Sequence, residues 1–207
     1  MSVAHDRGGF GPYTAEDLHA REDEGKGLEL ADGWPVEMSA SSLHNWVSMQ
    51  LWEFLRAAAP KTEVFAAIGG EWEINTLSGL RKPDVFLVPK DVARESIVKG
   101  DPRVIPGHEL LLVGEVISPG SGSERTDRVR KLEEYAALGI PQYWIVDFTP
   151  VPMVQVFTLD DLPSYRIEQV PTYRLEHLVR AGEVLEVEVE ADKPFTVRFD
   201  PQELTEF

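Results

Sequence analysis

Apolar residues recur at three- and four-residue spacing over 42–59, which is the strongest helical pattern in the chain. Pro60 predicts the end of this helix, because proline cannot continue an α-helix. A capping pattern predicts a short helix over 14–24. Another helix is predicted over 124–138, because Gly139 stands at the position where glycine commonly terminates a helix.

Other segments carry the continuous or alternating apolar residues that predict β-strands. The turn Asp32-Gly33 lies between two such segments and predicts a hairpin over 27–38. The segment 89–108 is rich in charge, glycine and proline and is predicted to be a loop. Five further strands are predicted at 63–68, 71–75, 84–88, 110–117 and 142–147.

The helix over 124–138 connects two predicted strands, which are therefore expected to lie parallel in one sheet. Beyond residue 149 the pattern changes to short alternating segments separated by prolines. These segments predict antiparallel strands at 153–157, 165–168, 184–189 and 195–199. The sequence thus predicts an α/β (α+β) fold in one domain over 1–207. A mixed sheet with flanking helices would occupy 27–148, and a β-rich C-terminal extension would occupy 149–207.

The composition narrows the possible functions. The 207 residues are 43% hydrophobic and 27% charged, as is usual for a globular domain. The chain has no cysteine, which excludes disulfides, thiolate metal sites and cysteine nucleophiles. No apolar run suits a signal peptide or approaches the ~20 residues of a membrane span. The cytoplasm is therefore the expected location, and no membrane partner is expected.

The net charge of -16 disfavours nucleic acid as a partner, because contacts to phosphate usually supply much of the binding free energy. The basic residues are nevertheless clustered, since Arg125, Arg128, Arg130 and Lys131 lie within one short segment. A solvated helix face explains this cluster as well as a phosphate contact does.

A single glutamate lies within the predicted strand 110–117. The neighbours of Glu115 are apolar or small, and an unpaired carboxylate would be costly to bury there. Asp84 follows Pro83 at the start of another predicted strand. Two carboxylates that converge from adjacent strands suit Mg²⁺ or Mn²⁺. The alternatives are a turn residue at Asp84 and an ion pair between Glu115 and an arginine such as Arg81.

Asp127, Lys131 and Tyr135 are spaced four residues apart and should share one face of the helix that follows the Glu115 strand. A lysine on this face could place its ammonium next to a metal-bound water. Two carboxylates, a divalent cation and a lysine together indicate phosphodiester hydrolysis. Lys131 could instead be an ordinary surface lysine, and Tyr135 is expected to pack against Trp144.

Several short motifs, in their order and spacing, resemble those of the Uma-two family of restriction-endonuclease-like proteins, a branch of the PD-(D/E)XK nuclease superfamily. The resemblance covers 27–148. The matching segments are GLELADG at 27–33, RKPDV at 81–85, VGEVISP at 113–119, DRVRK at 127–131 and GIPQYWIVD at 139–147, together with His44 and Tyr135.

The resemblance implies a restriction-endonuclease-like fold with a four-stranded mixed sheet flanked by helices. It also implies that Asp84 and Glu115 bind Mg²⁺ or Mn²⁺ and that DNA is the substrate. The superfamily usually has a lysine two residues after the acidic residue, where this chain has Ile117. The family pattern implies that the lysine comes from the following helix, which makes it Lys131.

Two further residues are candidates for the same site. Glu29 would be a third acid in the cleft or a solvent-facing hairpin residue, and His44 would be a base, a phosphate contact or a helix-capping residue. The leading hypothesis is a metal-dependent endonuclease that forms a homodimer. The alternatives are an inactive nuclease-fold protein that acts as a binding or assembly module, and a phosphoesterase that acts on a substrate other than DNA.

Overall fold

The structure, a computed structural model, describes residues 11–20, 28–37, 41–70, 72–99, 104–120, 124–160 and 171–207. The α-helices in these ranges are α1 (Ala15–His19), α2 (Ser42–Ala58), α3 (Lys90–Lys99) and α4 (Lys131–Ala137). The strands are β1 (Leu28–Ala31), β2 (Trp34–Glu37), β3 (Val64–Ile68), β4 (Glu73–Thr76), β5 (Gly79–Arg81), β6 (Val85–Pro89), β7 (Val104–Pro106), β8 (Leu112–Ile117), β9 (Gln142–Asp147), β10 (Met153–Leu159), β11 (Tyr173–Arg180), β12 (Leu185–Val189) and β13 (Phe195–Phe199).

A six-stranded mixed sheet forms the centre of the fold, with strand order β11-β10-β9-β8-β6-β3. Strands β8 and β9 are parallel, and every other neighbouring pair in this sheet is antiparallel. A helical segment over 124–137, which includes a π-helical turn at Thr126–Arg130, connects the two parallel strands. The predicted fold class, with a mixed sheet and flanking helices, is therefore confirmed. Strands β10 and β11 continue the sheet beyond the four strands implied by the resemblance.

One face of this sheet is covered by α2 and by the β12–β13 hairpin. Ser41 caps α2 by accepting a hydrogen bond from the backbone N–H of His44. Val47, Leu51 and Leu55 then follow at four-residue spacing and are fully buried against the sheet. Trp144 belongs to this same apolar cluster.

The other face is covered by α4, by α3 and by a small three-stranded sheet with the order β5-β4-β7. Tyr135 of α4 and Tyr143 of β9 pack edge to face in this second cluster, with ring centroids 5.2 Å apart. Both faces of β8 and β9 are therefore buried, which explains why their sequences are apolar at nearly every position.

The N-terminal residues form a smaller unit beside the second face. The β1–β2 hairpin turns at Asp32 and Gly33, both with positive φ, as the Asp-Gly pair predicted. Leu30 of this hairpin packs with Leu18 of α1 and Leu80 of β5. This contact brings β1 and its residue Glu29 close to the central sheet.

The structure differs from the sequence prediction between residues 89 and 108. This segment was expected to be a loop, but it contains α3 and β7. Helix α3 buries only Ala93 and Ser96, two small side chains, so its apolar face is weakly marked in the sequence. Strands β5 and β11 were also not predicted. The end of the helix expected over 14–24 and the strand expected over 165–168 lie outside the described residues.

None of the helices in the described ranges is both long enough and apolar enough to span a membrane.

Candidate active site

Asp84 lies at the point where β6 begins, next to the central strand β8. Val85 pairs with Gly114 in antiparallel register, so the preceding residue, Asp84, lies beside Glu115. The backbone N–H of Val116 donates a 2.7 Å hydrogen bond to Oδ2 of Asp84. This bond fixes the carboxylate of Asp84 against the strand that carries Glu115.

His44 also contacts Oδ2 of Asp84. Its Nε2 lies 3.1 Å from this oxygen and must carry the proton, because a carboxylate oxygen can only accept. His44 is placed by the first turn of α2, and its backbone C=O accepts a hydrogen bond from Ser48. The predicted candidate His44 therefore contacts Asp84 directly rather than serving only as a helix cap.

Glu115 is 2% exposed and meets two donors from the helix that covers this face of the sheet. Nζ of Lys131 lies 3.0 Å from its Oε1, and the hydroxyl of Tyr135 donates to the same oxygen at 2.9 Å. The predicted alternative, a pair between Glu115 and Arg81, is not what the structure shows. Arg81 donates instead to both carboxylate oxygens of Glu134, at 2.8 and 2.5 Å.

Lys131 lies at the centre of three carboxylates. Its Nζ is 3.0 Å from Oε1 of Glu115, 3.1 Å from Oε1 of Glu29 and 3.0 Å from Oδ1 of Asp127. The side chain of Lys131 is only 4% exposed, so it is not a surface lysine. Of the three contacts, only the one to Glu115 has the geometry of a hydrogen bond.

Glu29 reaches the site from the β1–β2 hairpin. Its Oε1 accepts a 3.0 Å hydrogen bond from the backbone N–H of Lys82 as well as the contact from Lys131, and its Oε2 lies 3.5 Å from Arg81. Both oxygens of Glu29 are therefore engaged by cationic or N–H groups. This arrangement favours Glu29 as a counter-ion of Lys131 over Glu29 as a metal ligand.

Tyr135 was expected to pack against Trp144, and this expectation was wrong. Tyr143 and Trp144 are consecutive on β9 and therefore point to opposite faces of the sheet. The helix covers the face of Tyr143, so Tyr135 packs there and directs its hydroxyl to Glu115. This polar role of Tyr135 was missed, although its four-residue spacing from Lys131 already placed it on the same face.

The comparisons with known proteins identify the family of this chain. The family model described as "Uma2: Putative restriction endonuclease" matches residues 15–196, which is most of the chain. The chain belongs to the Uma2 family. No curated protein matches its sequence.

Among solved structures, the Uma2 chain is similar to a protein described as "a putative nuclease belonging to DUF820" from Anabaena variabilis ATCC 29413. The two share 15% sequence identity, with a TM-score of 0.44. The similarity covers 66% of this chain and 82% of the other.

The charges of the Uma2 site are unbalanced. Three buried carboxylates, those of Glu29, Glu115 and Asp127, surround the ammonium of Lys131. A fourth buried carboxylate, that of Asp84, lies beside Glu115 and contacts His44. Burial raises the pKa of Glu115 well above its usual value; Lys131 opposes this shift, and the neighbouring carboxylates add to it. Burial likewise raises the pKa of Asp127. The excess of buried negative charge is what a bound cation would relieve.

The pKa values of Lys131 and His44 are both raised in the folded protein. Burial alone would lower the pKa of Lys131, but the surrounding carboxylates, Glu115 first, raise it well above its usual value. Burial would also lower the pKa of His44, but its hydrogen bond to Asp84 and the charge of that carboxylate raise it on balance. Lys131 is therefore a cation at neutral pH and can serve as a hydrogen-bond donor but not as a base.

The donor chemistry of Asp84 and Glu115 fits a divalent cation. All contacts of Asp84 within the described residues fall on Oδ2, and all those of Glu115 fall on Oε1. Oδ1 of Asp84 and Oε2 of Glu115 are thus the oxygens left for a metal, and hard oxygen donors suit Mg²⁺ and Mn²⁺. No cluster of three or more His, Asp and Glu side chains in the described part of the chain is arranged to hold a metal. The candidate ligand set is therefore this pair of carboxylates.

Proposed function

We propose that this chain is an endonuclease that hydrolyses DNA phosphodiester bonds with Mg²⁺ or Mn²⁺ as its cofactor. The observation that carries the proposal is the convergence of Asp84, Glu115 and Lys131 on one face of the central sheet, in a chain of the Uma2 family. A bound divalent cation would supply a water of lowered pKa and would neutralise charge on the phosphate.

Asp84 and Glu115 would hold this cation. The side chain of Asp84 is 12% exposed and that of Glu115 is 3% exposed, so solvent and substrate approach from the side of Asp84. His44 and the N–H of Val116 fix one oxygen of Asp84 and thereby direct the other towards the cation. The role of His44 in this scheme is to orient Asp84.

Lys131 would supply positive charge and N–H donors to the reacting phosphate. Its high pKa keeps the ammonium charged, and preorganised donors of this kind stabilise the charge that develops in the transition state. One of its N–H groups would stay with Glu115, and the substrate phosphate would displace the ion-pair contacts to Glu29 and Asp127 to reach the other two. Glu29 would keep the ammonium in place.

The decisive experiment is the nicking of supercoiled plasmid with Mg²⁺ or Mn²⁺, compared with the same reaction in a chelator. Glu115→Gln and Asp84→Asn should each abolish the nicking, because each removes a charged metal ligand and keeps the shape of the side chain. Glu109→Gln is the matched control, since Glu109 lies just before β8 and is 45% exposed. Nicking that survives in Glu115→Gln or in chelator would overturn the assignment.

A negative result would also be informative if it is combined with calorimetry. A wild-type protein that binds Mn²⁺ but leaves DNA intact favours a phosphoesterase with another substrate. A protein that neither binds metal nor nicks DNA is a binding or assembly module, and the nuclease proposal then fails. The homodimer and the cytoplasmic location stay predictions from the sequence.

A further inference from the structure

A cavity of about 470 Å³ lies beside the candidate active site. Its walls come from the first turns of the helix over 124–137, from the end of β9 and from β10 and β11. Asp147 ends β9 and pairs with Ile117, two residues beyond Glu115 on the neighbouring strand. Residues two apart on a strand share a face and lie about 7 Å apart. Asp147 therefore lies on the same face of the sheet as Glu115 and closer to the cavity.

Two arginines, Arg128 and Arg180, line this cavity together with two carboxylates, Glu124 and Asp147. Arg128 is held in place, because its guanidinium donates to Asp147, to Glu124 at 3.2 Å and to Gln155 at 3.4 Å. Arg180 ends the exposed strand β11 and makes no ion pair with any of the residues that the structure describes. One guanidinium is thus fixed and one is available to a ligand.

The remaining walls differ in character. Pro119, Pro150, Val151 and Met153 form an apolar surface, and Val151 is 51% exposed. Oδ2 of Asp147 is buried and has no hydrogen-bond partner in the described part of the chain. A buried carboxylate oxygen without a donor is costly, and an N–H group of a ligand would satisfy it. The cavity therefore combines the guanidinium groups of two arginines, an apolar wall and one carboxylate oxygen that lacks a hydrogen-bond donor.

We propose that this cavity is a nucleotide-binding subsite. It takes the phosphate of one nucleotide between Arg180 and Arg128, because guanidinium groups match phosphate oxygens in charge and geometry. The sugar and base lie against Pro150, Val151 and Met153, and a base amino group donates to Asp147. The volume lies within the range of about 300–1,000 Å³ that is usual for small-ligand sites. The inference rests on the proposed nuclease function, since it places a nucleotide next to the one that is cleaved.

Met153 provides a direct readout that does not depend on catalysis. The chain has four methionines, so protein labelled with ¹³C at the methionine methyl groups has a simple NMR spectrum, and Met153→Leu assigns the resonance of Met153. In chelator, 2′-deoxyadenosine 5′-monophosphate should shift the Met153 resonance saturably. Inorganic phosphate or 2′-deoxyadenosine alone should bind at least about tenfold more weakly, because each engages only one side of the cavity.

Arg180→Ala should weaken nucleotide binding at least about tenfold, because it removes the free guanidinium. Arg174→Ala is the matched control: Arg174 lies on the same strand, pairs with Asp160 and does not line this cavity. Equal effects of Arg180→Ala and Arg174→Ala would overturn the proposal.

The two proposals fail in different ways. A wild-type protein that nicks plasmid while its Met153 resonance stays unmoved by the nucleotide overturns the subsite alone. A saturable shift of Met153 in a protein that never cleaves DNA supports the nucleotide site and overturns the nuclease activity. If inorganic phosphate binds as well as the nucleotide, the cavity is only an anion site and the proposal is wrong.

Discussion

The ammonium of Lys131 lies 3.0 Å from Oε1 of Glu115, although the two residues are 16 positions apart in the sequence and lie on different elements. Glu115 is on the central strand β8. Lys131 is the first residue of α4, in the helical segment that connects β8 to β9. Because both side chains are buried, the charge of each offsets the desolvation cost of burying the other. This pair links the stability of the fold to the chemistry of the site.

Lys131→Met should lower the free energy of unfolding by about 3–5 kcal/mol, because it leaves buried carboxylates without their ammonium. The measurement is urea-induced unfolding in chelator. Lys99→Met is the matched control, since Lys99 is 68% exposed and pairs with the equally exposed Glu95; its effect should stay within about 0.5 kcal/mol. Equal effects of the two substitutions would contradict the buried cluster.

Divalent cations should stabilise the protein, and more so at pH 8 than at pH 5.5. The pKa of Glu115 is raised in the folded state, so protons compete with a cation for this carboxylate at low pH. Thermal unfolding with Mn²⁺ and with chelator at both pH values measures the effect. Asp84→Asn should remove most of the Mn²⁺ stabilisation, and an unchanged response in this variant would exclude Asp84 as a ligand.

In chelator, the free energy of unfolding should fall between pH 5 and pH 8 more steeply for the wild type than for Glu115→Gln. A carboxyl group with a raised pKa in the folded state binds its proton more tightly there than in the unfolded chain. Its contribution to stability is therefore present below about pH 4.5 and is lost as the pH rises through the folded-state pKa. We therefore expect the two curves to diverge as the pH rises. Parallel curves would show that Glu115 does not titrate in this range.

Tyr135→Phe should weaken Mn²⁺ binding while the fold is retained. The hydroxyl of Tyr135 fixes Oε1 of Glu115, and the loss of a hydrogen bond to a charged acceptor costs about 1.5–3 kcal/mol. Tyr173→Phe removes a comparable hydrogen bond, from the Tyr173 hydroxyl to the backbone C=O of Ile140, and it serves as the control. Calorimetry should show weaker binding only in Tyr135→Phe. Equal Mn²⁺ affinities in the two variants would limit Tyr135 to a packing role.

Gly79→Ala should destabilise the contact that brings the β1–β2 hairpin to the sheet. Gly79 has a φ of 139°, and a Cβ at this position would lie 2.6 Å from the backbone oxygen of Leu30. We expect a loss of about 2–4 kcal/mol from backbone strain and overpacking. Gly70→Ala also has a positive φ but no atom within 4 Å of the added Cβ, and it should cost about 1 kcal/mol. Equal unfolding free energies would contradict the close approach.

The sequence was most informative where one local pattern had one structural solution. The apolar spacing of 42–59 predicted α2, and the Asp32-Gly33 pair predicted the hairpin turn. The apolar runs around the helix over 124–138 predicted the parallel pair β8 and β9. The sequence was least informative over 89–108. There α3 packs through two small side chains, so the spacing of apolar residues does not distinguish a helix from a loop.

The sequence by itself singled out the candidate metal ligands. A lone glutamate in an apolar strand, as at Glu115, and a Pro-Asp pair before another strand are both unusual local patterns. The sequence did not determine which face of the sheet the helix covers, because β9 is apolar on both faces. In the tertiary structure the helix covers the face of Tyr143, so Tyr135 contacts Tyr143 and Glu115 rather than Trp144. Nor did the sequence place Glu29 against Lys131, a contact between residues 102 positions apart. Contacts of this kind depend on how separately formed elements pack, and only the tertiary structure specifies that packing.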